Sequence, residues 1–174
     1  MEFNDLLRAR YSVRAYKSDP VDADKLQRIL DAARLAPTAA NRQSFRLILI
    51  HTAGRERALS AIYAQPWFTQ APLLLCACGL PQENWVRRDG KNYNDVDVAI
   101  VMDHLILAAA NEGLGSCWIG AFDVAAARAF LALPEEVEPI AFTPLGYPAD
   151  TAGPKTRKDL HTLIYDERWP HDKT

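Results

Sequence analysis

From Glu2 to Arg10 the apolar residues Phe3, Leu6 and Leu7 recur at helical spacing, and YSVRAY then breaks the period with β-branched and aromatic side chains. This pattern predicts a short helix running into an extended loop. A second helix is expected from Val21, with Asp22 or Asp24 as its cap, an apolar stripe of Leu26, Ile29, Leu30, Ala33 and Leu35, and a stop at Pro37. The following PTAANRQS reads as a loop. FRLILIHT and PLLLCACG are apolar runs of strand length, expected to be buried on both faces, with a polar helix from about Gly54 to Tyr63 between them.

From Asn84 to Asn94 the chain turns polar, WVRRDGKNYN, and reads as a loop or lid carrying one Trp and three cations. The longest helical pattern runs from about Val96 to Glu112, apolar nearly all round, and ends at Gly113 to Gly115. Such a helix is buried, against its own chain or a second copy. SCWIGAF is then expected as an abrupt strand, Val124 to Leu131 as a helix, and IAFTPLGYP as a further strand with a Gly and Pro exit. No repeat, low-complexity tract or linker divides the chain, so one α+β domain over residues 1–174 is expected.

Composition narrows the partners. The chain has 49% apolar and 24% charged residues, enough for a proper core, and its net charge of −2 gives no general attraction to nucleic acid. Any anion must be held by a local cluster. Three cysteines, Cys76, Cys78 and Cys117, form no CxxC pair and suit a reducing compartment. The charged N-terminus does not resemble a secretory leader, and no apolar stretch approaches the ~20 residues that span a bilayer. A cytoplasmic location without membrane contact is expected.

Two cationic clusters stand out: RARYSVR, with Arg8, Arg10, Arg14 and Ser12, and KTRK, with Lys155, Arg157 and Lys158. Guanidinium forks from two chain segments, together with a hydroxyl, match the charge and acceptors of a phosphate monoester. The bland alternative is a pair of solvated faces. No P-loop is present, and GLGS lacks the strand-then-helix setting of a dinucleotide fingerprint.

These residues also carry a resemblance that covers nearly the whole chain in order. RYSVR resembles the N-terminal signature of the nitroreductase-like flavoenzymes, RxS(V/I)R, and APTAANRQSF resembles their AP(S/T)xxNxQPW element. DVDVAIVMDHLILAAANEGLGSCWIGAF is similar to that family's central helix and GLGSxWxG turn, and PLGYP followed by KTRK to its closing strand and basic tail. Ser44 and Phe45 replace the usual Pro and Trp, Asp103 and His104 a common Gln and Asn pair, and Gly120 a carboxylate of some members. These departures bear on substrate preference rather than on flavin binding.

The resemblance implies an intertwined homodimer with a central, mostly antiparallel sheet flanked by helices, and two FMN sites built from both chains. It implies that Arg10, Ser12 and Arg157, with Lys155 or Lys158 as a further cation and Tyr11 alongside, hold the FMN phosphate. Arg14 would lie near flavin N1 and O2, where its charge favours the reduced, anionic ring. Pro37, Thr38, Asn41 and Gln43 would reach ring and ribityl chain from the partner, since an amide both donates and accepts. Ile119, Gly120 and Ala121 would pass beneath the ring and offer a backbone N–H to N5, with Gly120 allowing close approach. The implied activity is ping-pong hydride transfer through N5, from NADH or NADPH to a nitroaromatic, quinone or similar electron-poor acceptor. Because the flavin carries the chemistry, no catalytic side chain is expected. Two rivals share these residues: a flavin-binding sensor or carrier that never turns over, and a flavoenzyme of the same fold with another reaction, such as reductive dehalogenation.

Other chemistry-bearing residues receive blander readings. His104, alone on an apolar helix, offers a proton donor but is read as a core or interface residue. Asp97 and Asp103 have no second His at ligand spacing, so no metal is expected. Cys117 is read as an inert buried thiol. Trp85, Arg87, Arg88 and Lys91 suit either the phosphates of the nicotinamide cofactor or plain solvent.

Overall fold

A computed structural model describes residues 1–169. Helix α1 (Phe3–Ala9) and an extended loop precede α2 (Ala23–Arg34), which Asp22 caps through its carboxylate to the N–H groups of Asp24 and Lys25. Strand β1 (Phe45–His51), α3 (Glu56–Ile62), β2 (Leu73–Gly79) and the long helix α4 (Asn94–Asn111) follow. A two-residue β3 (Gly115–Ser116), α5 (Val124–Leu131) and β4 (Glu138–Gly146) complete the regular elements apart from short single turns. The four strands form one antiparallel sheet in the order β1-β2-β4-β3.

Strand β2 is central and buried along its whole length, which is why LLLCAC is apolar without alternation. Its two faces meet different layers. Leu73 and Leu75 pack with Ile29 and Ala33 of α2 and with Val101, Leu105 and Ala109 of α4. Leu74, Cys76 and Cys78 pack with Leu59 and Ile62 of α3, Ala127 of α5, and Phe68, Ile119 and Phe142. The α4 helix is apolar nearly all round because it lies between α2 and the sheet; Arg28 in the middle of α2 clamps the pair by forking onto Glu112, just past the end of α4, at 2.9 and 2.8 Å.

Two expectations need correction. Strand β1 is not buried on both faces: of its residues only Ile50 is fully buried, and Arg46 and His51 are exposed, because β1 is the sheet edge and pairs with β2 alone. SCWIGAF is not a continuous strand either. Pairing stops at Ser116, and Ile119 rejoins the sheet as a single bridge to Phe142, since the intervening chain leaves β4 to form a turn.

Candidate active site

The loop after α1 is laid on the sheet by backbone pairing. Ser12 bridges Ser116, the Val13 N–H donates to Ser116 O at 3.0 Å, and Tyr16 bridges Pro148 just beyond β4. Gly115 makes this possible, because a Cβ there would fall 2.6 Å from a Val13 methyl. The N-terminal loop therefore lies beside the chain leaving β4, and its side chains face an open cleft of about 440 Å³ lined by Arg10, Tyr11, Ser12, Arg14, Asp150, Lys155 and Arg157. Residues almost 150 positions apart in sequence thus share one surface.

Electrostatically the cleft is unbalanced. Among the described residues no carboxylate lies within ion-pair distance of the Arg10, Arg14 or Arg157 guanidinium. Asp150, the one acid lining the cleft, is engaged elsewhere: Tyr11 Oη donates to its carboxylate at 3.0 Å and the Arg14 N–H at 2.8 Å. Burial and then Asp150 raise the Tyr11 phenol above its ordinary range, keeping it a donor. Lys155 Nζ donates to the carbonyls of Leu7, Arg8 and Arg10 at the C-terminal end of α1, where an ammonium complements the helix dipole. Those three bonds use all its protons. Desolvation, then Arg10 and Arg157, lower its pKa.

Beyond Ser116 the chain passes under this surface. Cys117 is buried and its N–H donates to Thr143 Oγ1 at 3.1 Å; burial pushes its thiol upward against the opposing pull of Arg14. Ile119 spends its N–H on Phe142 O at 2.9 Å, whereas among the described residues the N–H groups of Gly120 and Ala121 meet no protein acceptor. A Cβ on Gly120 would find only Trp118 Nε1, at 3.9 Å, so the fold itself does not demand glycine there.

Pro37, Thr38, Asn41 and Gln43 lie elsewhere. They precede Phe45, which pairs with Gly79, and Gly79 pairs with Glu138 at the start of β4; the cleft lies past Gly146 at its end. Eight steps along β4 separate the two ends by about 26 Å. One chain therefore does not bring the Arg10 and Asn41 groups onto one small molecule. Pro37, Asn41 and Gln43 are exposed and face outward. The loop is nonetheless ordered: the Gln43 N–H donates to Thr38 Oγ1 at 3.0 Å, and Gln43 Nε2 to Asn41 Oδ1 at 3.2 Å.

In the polar segment after β2, Val86 and Asn92 pair around a turn in which Arg87 forks onto Asp89 at 2.9 and 2.6 Å and donates to Tyr93 Oη at 3.0 Å. Arg87 is thus a brace for the turn, while Arg88 and Lys91 are exposed. His104 is half-buried on α4 and its Nδ1–H donates to Ile100 O at 3.1 Å. Asp150 is not singled out by the sequence, since a lone acid between PLGYP and KTRK carries no spacing signal.

The model of the Nitroreductase family matches residues 7–66 and 59–147, which together take in the N-terminal loop, the sheet and the turn after α4. The chain belongs to the nitroreductase family. A nitroreductase family protein of Clostridium difficile, solved as a crystal structure, is 36% identical with a TM-score of 0.89 over 97% of this chain and 100% of that one. An NADH dehydrogenase of Thermus thermophilus is 28% identical over 89% of this nitroreductase-family chain and 91% of its own. An FMN reductase (NAD(P)H) of Bacillus subtilis is 23% identical over 91% of this chain and 70% of its own. With the family come its α+β fold and its enzyme class, oxidoreductase.

Proposed function

We propose that this protein is an FMN-dependent oxidoreductase that takes electrons from NADH or NADPH and gives them to small electron-poor acceptors such as nitroaromatics or quinones. The observation that carries the reading is the cleft of Arg10, Ser12, Arg14 and Arg157, three guanidinium groups and a hydroxyl with, among the described residues, no carboxylate paired to the cations. Arg10, Arg157 and Ser12 of that set match a phosphate monoester in charge and in donors, and leave Arg14 for the rest of the ligand. The uncommitted N–H groups of Gly120 and Ala121, on an exposed turn that a side chain does not fill, fit a flat acceptor ring.

Held in this cleft, FMN would supply the redox chemistry, hydride transfer through its N5 between the nicotinamide donor and the acceptor in ping-pong order. The chain's own residues position it. Arg10 and Arg157 would hold the phosphate with Ser12, while Tyr11, whose one proton goes to Asp150, shapes the loop beside it; Lys155 sets the entry to that pocket by fastening the end of α1, and Lys158 adds charge from the same tail. Arg14, fixed through its backbone by Asp150, places a positive charge where the ring gains negative charge. Of Ile119, Gly120 and Ala121, the last two keep N–H groups that would be available to the N5 edge, whereas Ile119 spends its own on Phe142.

The site is completed by a second copy. Pro37, Thr38, Asn41 and Gln43 come from the partner chain, because their own chain holds them at the far end of β4. Two surfaces support a homodimer. Residues 151–169 are all exposed, with Leu160, Ile164 and Trp169 at 60% or more, and Phe3, Leu6 and Leu107 line an apolar groove along α4. No described helix is long and apolar enough to cross a membrane; with three free cysteines, the reading places the enzyme in the cytoplasm, with no nucleic-acid partner.

Adding NADH or NADPH anaerobically to the yellow protein tests the reading. Bleaching of the flavin bands, followed by their return on adding a quinone, is the expected result. Bound FMN that neither donor reduces identifies a carrier or sensor instead.

A further inference from the structure

The loop from Thr38 to Gln43 carries an unusual load of backbone strain. Ala40, Asn41 and Gln43 all adopt left-handed conformations, with φ of 50°, 54° and 51°. For Ala and Gln this region is disfavoured, and such strain persists only where the surroundings over-determine it. Part of the restraint is internal, through Thr38, Asn41 and Gln43. The restraint from the core is Asp97, whose Oδ1 accepts the Ala39 N–H at 2.9 Å, just where the strained stretch begins.

Asp97 is placed to act as an anchor. It is 2% exposed and lies in the first turn of α4, the helix packed between α2 and the sheet, so its backbone moves with the core. The helix N-terminus stabilises its carboxylate. Its neighbour Asn94 is wedged against Gly79, where a Cβ would fall 1.9 Å from Asn94 Nδ2. Ser44 Oγ, Asn84 Nδ2, both polar atoms of the Asn94 side chain and Asp97 Oδ2 are buried without a protein partner among the described residues. Buried polar atoms of this kind cost stability that apolar ones would not, and of these residues Asp97 is the one that bonds the loop.

We propose that Asp97 is a positioning residue for the cofactor: by holding Ala39 it locks Asn41 and Gln43 into the strained arrangement that meets the flavin of the partner chain. The inference rests on the FMN reading given above. It assigns Asp97 no contact with flavin or substrate.

Three variants test it. Asp97→Ala removes the acceptor, Asp97→Asn keeps a carbonyl oxygen for Ala39, and Ala39→Pro removes the donor while leaving the carboxylate. Thr38, at φ −130° and ψ 155°, already has the extended conformation that a following proline requires. FMN titration of the apoproteins should show Asp97→Ala and Ala39→Pro each about tenfold weaker than wild type and Asp97→Asn within about threefold. Because the two changes break one bond, the double variant should be no weaker than the worse single one. Amide exchange at residues 39–43 should accelerate in Asp97→Ala apoprotein and stay near wild type in Asp97→Asn.

Wild-type FMN affinity in Asp97→Ala and Ala39→Pro, with unchanged exchange, would overturn the proposal. If Asp97→Ala does not fold, Ala39→Pro decides alone. A wild-type chain that binds no FMN sinks the functional reading instead, and accelerated exchange in the apoprotein still reports the anchor.

Discussion

The carboxylate of Asp150 receives the backbone N–H of Arg14 at 2.8 Å across 136 residues of sequence, and the hydroxyl of Tyr11 at 3.0 Å. One acid thereby fixes the curve of the loop that carries Arg10, Ser12 and Arg14, in a cleft otherwise built of cations. On the proposed reading its negative charge opposes the phosphate, while its hydrogen bonds set the loop that would receive it. The geometric effect outweighs the charge, because a partly exposed carboxylate is screened whereas a loosened loop displaces Arg10, Ser12 and Arg14 together.

Asp150→Ala should therefore weaken FMN about tenfold, and Asp150→Asn, which removes the charge but keeps one acceptor, should weaken it less. Titration of each apoprotein with FMN measures both. In the same variants the Tyr11 phenol, raised by burial and by Asp150, should titrate at lower pH, seen as a component of the ultraviolet difference spectrum that Tyr11→Phe abolishes. Tighter FMN binding by Asp150→Ala would mean that the acid acts only as an opposing charge.

Arg14→Ala should make the bound flavin harder to reduce, since a positive charge near the ring favours the reduced form. Anaerobic redox titration against a reference dye reads this directly. An unchanged midpoint potential, with FMN still bound, would place the Arg14 guanidinium away from the ring.

The fold was largely legible because its helices and strands obey simple periods. The α4 helix follows from an all-round apolar pattern, and Val124 to Leu131 also reads as a helix from the sequence. Strand β1 misled, because FRLILIHT has the composition of a central strand while sitting at an edge, and composition cannot report the number of strand neighbours. The turn after Ser116 misled for a related reason: a β-rich stretch reads as a strand even when only Ile119 finds a partner. At the site, Arg10, Ser12 and Arg157 could be read as two clusters that close on one anion. Asp150 and the anchoring role of Asp97 could not, because each acts through long-range hydrogen bonds, Asp150 to the Arg14 N–H and the Tyr11 hydroxyl and Asp97 to the Ala39 N–H, that no local pattern encodes.

The clamp between α2 and α4 predicts a pH dependence. The Arg28 guanidinium, through its hydrogen bonds, holds Glu112 below the usual carboxylate range. A depressed carboxyl contributes stability that is present above its unfolded pKa and lost as pH falls through the folded one. Arg28→Ala should thus lower the melting temperature at neutral pH, and the difference from wild type should close as the pH drops below the ordinary carboxylate range. Thermal unfolding of both proteins as a function of pH checks it; a pH-independent gap would assign the effect to packing of the Arg28 stem.

The central claim is that each FMN lies between two chains, with Arg10 and Arg157 from one and Asn41 and Gln43 from the other. One measurement tests it most directly: the flavin content of a dimer assembled from two differently tagged variants, Arg10→Ala with Arg157→Ala in one chain and Asn41→Ala with Gln43→Ala in the other. In that mixed dimer both sets of losses fall on the same site and leave the second site whole. One tightly bound FMN per mixed dimer is expected, with little or none in either parent. A mixed dimer as empty as its parents would contradict it, because sites contained within single chains would each be damaged.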